Sequence, residues 1–204
     1  MSVAGRSPKS PLLIILSGPS GVGKDAILAR MRRLKLPFHY VVTATTRPQR
    51  VREKNGIEYH FLSQEKFQQM RDEGQLLEWA KVYGNYYGVP KDEIRQALSK
   101  TKDILLKVDI QGAATIKKVL PQAIFIFVMP PSIEELKRRL EQRHSESLAD
   151  LTLRLEKAEE EMRKLSLFDY VITSHQGKLD EAISQINAIV VAEKHRVKPR
   201  IIEL

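Results

Sequence analysis

Leu12-Leu13-Ile14-Ile15-Leu16-Ser17-Gly18-Pro19-Ser20-Gly21-Val22-Gly23-Lys24-Asp25 is the stretch on which the reading of the chain turns. Residues 12–17 are a short apolar run between Pro11 and Gly18, the pattern of a buried parallel strand. Gly18 to Lys24 then match G-x-x-x-x-G-K, directly after that strand and directly before a helical pattern. Glycines let the backbone turn its N–H groups inward around phosphate oxygens, and the helix N-terminus adds positive potential. Lys24 adds a point charge for the β- and γ-phosphates. Gly18, Pro19, Ser20, Gly21, Val22, Gly23, Lys24 and Asp25 are therefore the candidate triphosphate-binding residues. Gly21, Gly23 and Ala26 also spell G-x-G-x-x-A, but a dinucleotide site expects an acidic residue about twenty positions on. The segment there, Thr43-Ala44-Thr45-Thr46-Arg47, has none. Asp25 stands where the phosphate-loop motif calls for a Ser or Thr that reaches Mg²⁺. A carboxylate is tolerated at a helix start and approaches Mg²⁺ directly or through water.

Outward from the loop, Ile27, Met31 and Leu34 recur at helical spacing, and Pro37 ends that helix. Residues 40–43, 104–108, 124–128 and 170–173 are further strand-like runs, separated by helical patterns. Ser132 with Glu135 is a capping box, and Leu179, Ile183, Ile186 and Val190 line one face of a C-terminal helix. This alternation predicts an α/β fold with a parallel sheet covered on both faces. Residues 44–88, rich in Arg, Tyr and Gly, predict an inserted substrate lobe, and the charged helical residues 137–165 a mobile lid. The expected organisation is a single domain, 1–204, whose core is 1–43, 89–136 and 166–204.

A chain of 204 residues with 42% hydrophobic and 29% charged residues can bury a sizeable core. It contains no cysteine, which excludes disulfides, thiolate metal sites and cysteine nucleophiles. No apolar run approaches the roughly 18 residues of a membrane span, and residues 1–11 do not read as a signal or transit peptide; the expectation is a cytoplasmic protein. The net charge, 34 − 25 = +9, attracts polyanions. The cations are spread along the chain without a nucleic-acid motif, and two phosphorylated small molecules would also call for them.

In the predicted lobe, Arg47 and Arg50 flank Pro48, and guanidinium forks match phosphate oxygens. Tyr59 follows, then Leu77-Glu78-Trp79 and Gly84-Asn85-Tyr86-Tyr87-Gly88, and later Val108-Asp109-Ile110-Gln111-Gly112. With the phosphate loop and Thr45-Thr46-Arg47, these segments occur in the order and approximate spacing of the guanylate kinases, which the chain resembles over nearly its whole length. The resemblance implies a P-loop nucleoside-monophosphate-kinase fold, with ATP and GMP as substrates and Mg²⁺ as cofactor. It implies that Arg47, Arg50 and Tyr59 hold the GMP phosphate, with Tyr87 beside them. Glu78 would accept from guanine N1–H and the 2-amino group, and Thr43 would touch the base. Adenine has neither of those donors, so a site built around Glu78 discriminates against AMP. Val89 stands where the family usually has a Ser or Thr able to bond the base.

Guanylate kinases also carry lid arginines that reach the triphosphate, which carries over onto Arg139, Arg143 and Arg154. With Lys24 and Arg47 these are the candidate catalytic residues, since phosphoryl transfer needs positioning and charge neutralisation more than covalent chemistry. Asp109 is a candidate Mg²⁺ or substrate contact, so either Asp25 or Asp109 could hold the metal, directly or through water. Lys107 replaces an Asp usual in the family, while Asp25 adds a carboxylate nearby; the two departures are expected to pair. Expected partners are the two small substrates, not nucleic acid or membrane, with the chain a monomer or homodimer. Two alternatives stand beside this reading: a non-catalytic module that binds phosphopeptide in the lobe, and a kinase for another nucleoside monophosphate.

Overall fold

The computed structural model describes residues 10–51, 53–82, 84–141 and 148–204. Its centre is β1 (Leu13–Ser17), and the strand's composition explains the architecture. Ile14 and Leu16 point into one apolar cluster, with Ile27, Leu28 and Met31 of α1 (Lys24–Arg33) and Ala182, Ile183 and Ile186 of α7 (Leu179–Lys194). Leu13 and Ile15 point into the other, with Ile94 and Ala97 of α3 (Lys91–Ser99) and Ala113 and Ile116 of α4 (Ile110–Val119). A strand roofed by helices on both faces has no use for polar alternation.

β1 pairs in parallel with β7 (Asp103–Lys107) and β8 (Ile124–Met129). With β2 (Phe38–Tyr40) and β9 (Tyr170–Thr173) the sheet order is β2-β7-β1-β8-β9, all parallel. The strand expected at 40–43 is corrected. The chain leaves the core sheet after Tyr40, with Val41 N–H still donating to Leu105 O (3.1 Å). It enters a second sheet as β3 (Ala44–Thr45), so the β-favouring run straddles two sheets.

That second sheet has the order β4-β3-β6-β5, with β4 (His60–Phe61), β5 (Leu76–Val82) and β6 (Asn85–Pro90). Phe67 of α2 (Gln64–Asp72), Leu76 and Ala44 form its small core, and the Ser63 hydroxyl caps α2 by accepting from Lys66 N–H. β6 is continuous through residue 88, where the sequence boundary of the lobe was set. Its Val89 and β5's Leu77 are buried in the main core, so the lobe is rooted there.

α5 (Ile133–Glu141) is likewise continuous across the expected lid boundary at 137. Leu136 and Leu140, four apart on one face, are buried together with Leu151 and Ala158 of α6 (Leu148–Met162). The capping box is half made: Ser132 Oγ accepts from Glu135 N–H (3.2 Å), while the Glu135 carboxylate turns to Arg139 and Arg138 instead.

At the far pole of the sheet the buried Glu193 accepts from Tyr170 OH (2.7 Å) and from Arg200 (3.0 and 3.1 Å). Burial works against the Glu193 charge, but Arg200 and Tyr170 outweigh it and hold the carboxyl below its ordinary range. Lys194 binds Asp103 (2.6 Å) and Ser10 O (3.0 Å), and Asp103 in turn accepts from Leu12 N–H (2.8 Å). Arg200 also donates to Ala123 O (3.2 Å) just before β8.

Candidate active site

The C-terminal ends of β1 and β7 lie side by side, with Leu16 opposite Lys107. Open parallel sheets place ligands at such strand ends. A cavity of about 300 Å³ opens there. Gly18, Ser20, Lys24 and Asp25 supply its loop wall, and Thr43, Tyr59, Glu78 and Tyr87 its wall from the second sheet and its approaches. Lys107 and Asp109 end or follow β7, and Arg154, Lys157 and Glu161 come from α6.

The loop starts at Gly18, where the φ of 146° and the nearness of β8 both demand glycine: an added Cβ would lie 2.2 Å from Val128 O. Lys24 Nζ donates to Gly18 O (2.5 Å) and Pro19 O (2.9 Å), so its charge is held across the mouth of the loop. Burial lowers the Lys24 pKa to about 8, with Asp25 pulling the other way. Asp25, the second residue of α1, accepts from Lys107 Nζ at 2.5 Å. Burial opposes the Lys107 charge, but Asp25 and the Tyr59 hydroxyl outweigh it and raise its pKa. The two departures therefore pair.

Across from the loop, burial and the nearby Asp109 push the Glu78 carboxyl up to about 7. Asp109 caps α4 by accepting from Gly112 N–H (2.7 Å). A Cβ at position 112 would meet Glu78 Cδ and Oε2 at 3.2 Å, so the glycine gives the carboxylate its seat. Tyr59 and Tyr87 stand edge to face, 6.0 Å apart.

Residues 10–193 match the family model described as guanylate kinase. The chain belongs to the guanylate kinase family. It is 43% identical over 198 residues to "Guanylate kinase 2, chloroplastic/mitochondrial" of Oryza sativa subsp. japonica, spanning 97% of this chain and 70% of the rice protein. It is 41% identical over 192 residues to the guanylate kinase of Shouchella clausii, spanning 94% of this chain and 92% of that one. The crystal structure of guanylate kinase from Anaplasma phagocytophilum superposes with a TM-score of 0.73 at 31% identity, over 93% of this chain and 89% of that one. The fold is thus the P-loop nucleoside-monophosphate-kinase fold, and the chain is a kinase.

Several residues that the guanylate kinase resemblance singled out lie elsewhere than expected. Arg47 does not line the cavity. Its fork is held by Glu53 (2.8 and 3.0 Å), with its guanidinium 5.5 Å from the Tyr59 ring centroid. Glu53 also accepts from Arg50 N–H (2.9 Å), fixing the turn from which the exposed Arg50 projects outside the cavity wall. Val89 is buried in the core rather than facing a base, which corrects its expected place at the base. Arg139 is not gathered with Arg154. It donates to Val22 O (3.0 Å), Ser174 O (2.7 Å) and Glu135 (3.0 Å), so it braces the outside of the phosphate loop. Pro19 and Val22 are buried and face away from the cavity. Arg143 lies outside the described residues.

Lys107, Lys157 and Glu161 join the wall without having been singled out as site residues. Arg154, Lys157 and Glu161 are three and four residues apart, one face of α6. The signal was in the spacing, but a charged stripe on a helix reads first as a solvated face. Burial raises the Glu161 pKa against the pull of Lys24. On the outer side of the loop lies a second hollow of about 680 Å³, lined by Gly21, Gly23, Arg139 and the turn from Ser174 to α7.

Proposed function

We propose that this guanylate kinase transfers the γ-phosphoryl group of ATP to GMP, giving ADP and GDP. The observation that carries the reading is the sharing of one cavity by the Lys24 loop and the half-buried Glu78. The loop recognises phosphate, and Glu78 recognises a base bearing two adjacent N–H donors. ATP phosphates would lie on the loop, with the nucleoside in the outer hollow, since the loop is shared by both. GMP would enter the inner cavity, its base at Glu78 and Thr43 and its phosphate at Tyr59 and Tyr87. Arg47 and Arg50 would reach that phosphate by exchanging Glu53 for it.

A GMP phosphate oxygen attacks the γ-phosphorus as the bond to the ADP oxygen breaks. The nucleophile is already anionic, so no general base is needed, and the residues supply positioning and cations. Arg154 and Lys157 from α6 bring positive charge to the closed site. Among the described residues no group of three or more metal-ligating side chains converges. This suits Mg²⁺, which keeps several waters and leans on phosphates plus one or two carboxylates. Asp25 at the loop and Asp109 at the end of β7 fit that need. When bound, the ion would neutralise charge on the transferred phosphoryl group. Cytoplasmic residence belongs to this reading, and no helix among the described residues is long and apolar enough to cross a membrane.

An ADP-release assay with GMP, dGMP, IMP, AMP and UMP, each with and without Mg²⁺, tests the reading. GMP turnover that depends on Mg²⁺ is expected; no turnover with any acceptor would sink it. The pH profile of kcat/KM for GMP is expected to be a narrow bell. Glu78 must be ionised to accept from guanine and gains a proton below about 7. Lys24 must be charged to meet phosphate and loses its proton above about 8. Each limb falls about tenfold per pH unit. The GMP phosphate itself titrates near 6, so Glu78→Gln, which removes only the limb near 7, separates the two. A profile flat from pH 6 to 9 would contradict these assignments.

A further inference from the structure

Lys107 occupies a position that neither the phosphate-loop motif nor the family pattern explains. It ends β7 beside the strand that feeds the loop, and its ammonium group reaches both ways. On the loop side it donates to Asp25 Oδ1 at 2.5 Å. On the lobe side it faces Tyr59, with Nζ 5.6 Å from that ring's centroid. An ammonium has three donors; the Asp25 bond uses one of them.

The side chains that line the cavity carry four cations, Lys24, Lys107, Arg154 and Lys157, and four carboxylates, Asp25, Glu78, Asp109 and Glu161. Each substrate phosphate adds negative charge to this balanced set. Without Lys107 the balance turns negative, and the Asp25 carboxylate loses its ion pair beside the phosphates. We infer that Lys107 is a phosphate ligand for the acceptor nucleotide, placing a second donor on the phosphate beside Tyr59 and tying that phosphate to the triphosphate loop through Asp25. In this chain a lysine at the end of β7 thus joins the acceptor site to the donor site. The inference rests on the reading of the inner cavity as the GMP site.

Isothermal titration of GMP and of guanosine, both without ATP or Mg²⁺, tests it on the wild type, Lys107→Met, Lys107→Arg and Asp25→Asn. Lys107→Met is expected to weaken GMP binding by roughly 10- to 100-fold, the loss of one charge-assisted hydrogen bond. It should leave guanosine binding within about twofold, because guanosine has no phosphate for the ammonium to meet. Lys107→Arg should recover part of the GMP affinity. Asp25→Asn, which frees the ammonium from its loop partner, should bind GMP at least as tightly as wild type. A Lys107→Met protein that binds GMP like wild type would overturn the inference. Equal losses for GMP and guanosine would do so too, because Lys107 would then only be shaping the pocket. A wild-type protein that binds neither would instead remove the GMP reading on which the inference stands.

Discussion

Lys24→Ala is expected to lower turnover by about 10³-fold or more, the scale seen when one fixed charge-stabilising donor is removed from an acyl- or phosphoryl-transfer site. GMP affinity should stay within a few-fold of wild type. The asymmetry follows from the layout. Lys24 touches Gly18 O and Pro19 O on the loop wall, whereas the contacts proposed for the acceptor are Glu78, Thr43 and the tyrosines. The lysine is buried enough that its pKa falls to about 8, so its charge is held at a cost that a triphosphate would offset. Single-turnover measurements with saturating ATP, beside GMP titrations, separate the two effects. A Lys24→Ala enzyme that keeps its turnover would show that the triphosphate does not lie on this loop. The variant also loses the tie between Lys24 and the loop carbonyls, so a thermal melt should accompany it.

Glu78→Ala should collapse the preference for GMP over AMP by about 10⁴-fold, through loss of GMP activity together with a gain in AMP activity as the unpaired carboxylate is removed. A buried carboxylate left facing a base without donors is penalised, and that penalty is the discrimination. Glu78 carries such a penalty even before a base arrives, since burial and Asp109 already push its carboxyl to about 7. In the proposed complex guanine N1–H and the 2-amino group would replace the lost solvation, and adenine would not. Comparison of kcat/KM for GMP, IMP and AMP in both proteins measures this. IMP, which has N1–H but no 2-amino group, should fall between the other two in the wild type. Equal use of AMP and GMP by the wild type would end the role given to Glu78.

The parallel sheet was legible because its signals are local. Residues 12–17 are apolar on both faces, and a strand with two apolar faces belongs between two helical layers. The run at 170–173 coincides with β9, an edge strand in which Ile172 is buried and Val171 exposed. The phosphate loop was legible because strand, glycines, lysine and helix are contiguous. What sequence could not give was the choice among partners. Arg47 looks like a phosphate ligand in any motif, but only the folded turn brings Glu53 onto its fork. Arg139 sits 117 residues from Val22 in sequence, yet hydrogen-bonds its carbonyl. The misplaced strand at 40–43 has a similar cause: β propensity marks extended chain, not which of two sheets the chain joins. The pairing of Lys107 with Asp25 was accessible because two opposite departures fell on elements already expected to flank one site.

The clasp of Glu193, Arg200, Lys194 and Asp103 gathers Ser10, the end of α7 and the tail beyond it at the N-terminal ends of the strands. The cavity opens at their C-terminal ends. Cargo joined after residue 204 would therefore leave from the α3 face, where Leu204 O accepts from Arg95 and no α3 residue lines the cavity. The same arrangement makes the protein suitable for oriented attachment: tethered through a tail tag, the enzyme presents its mouth to solution.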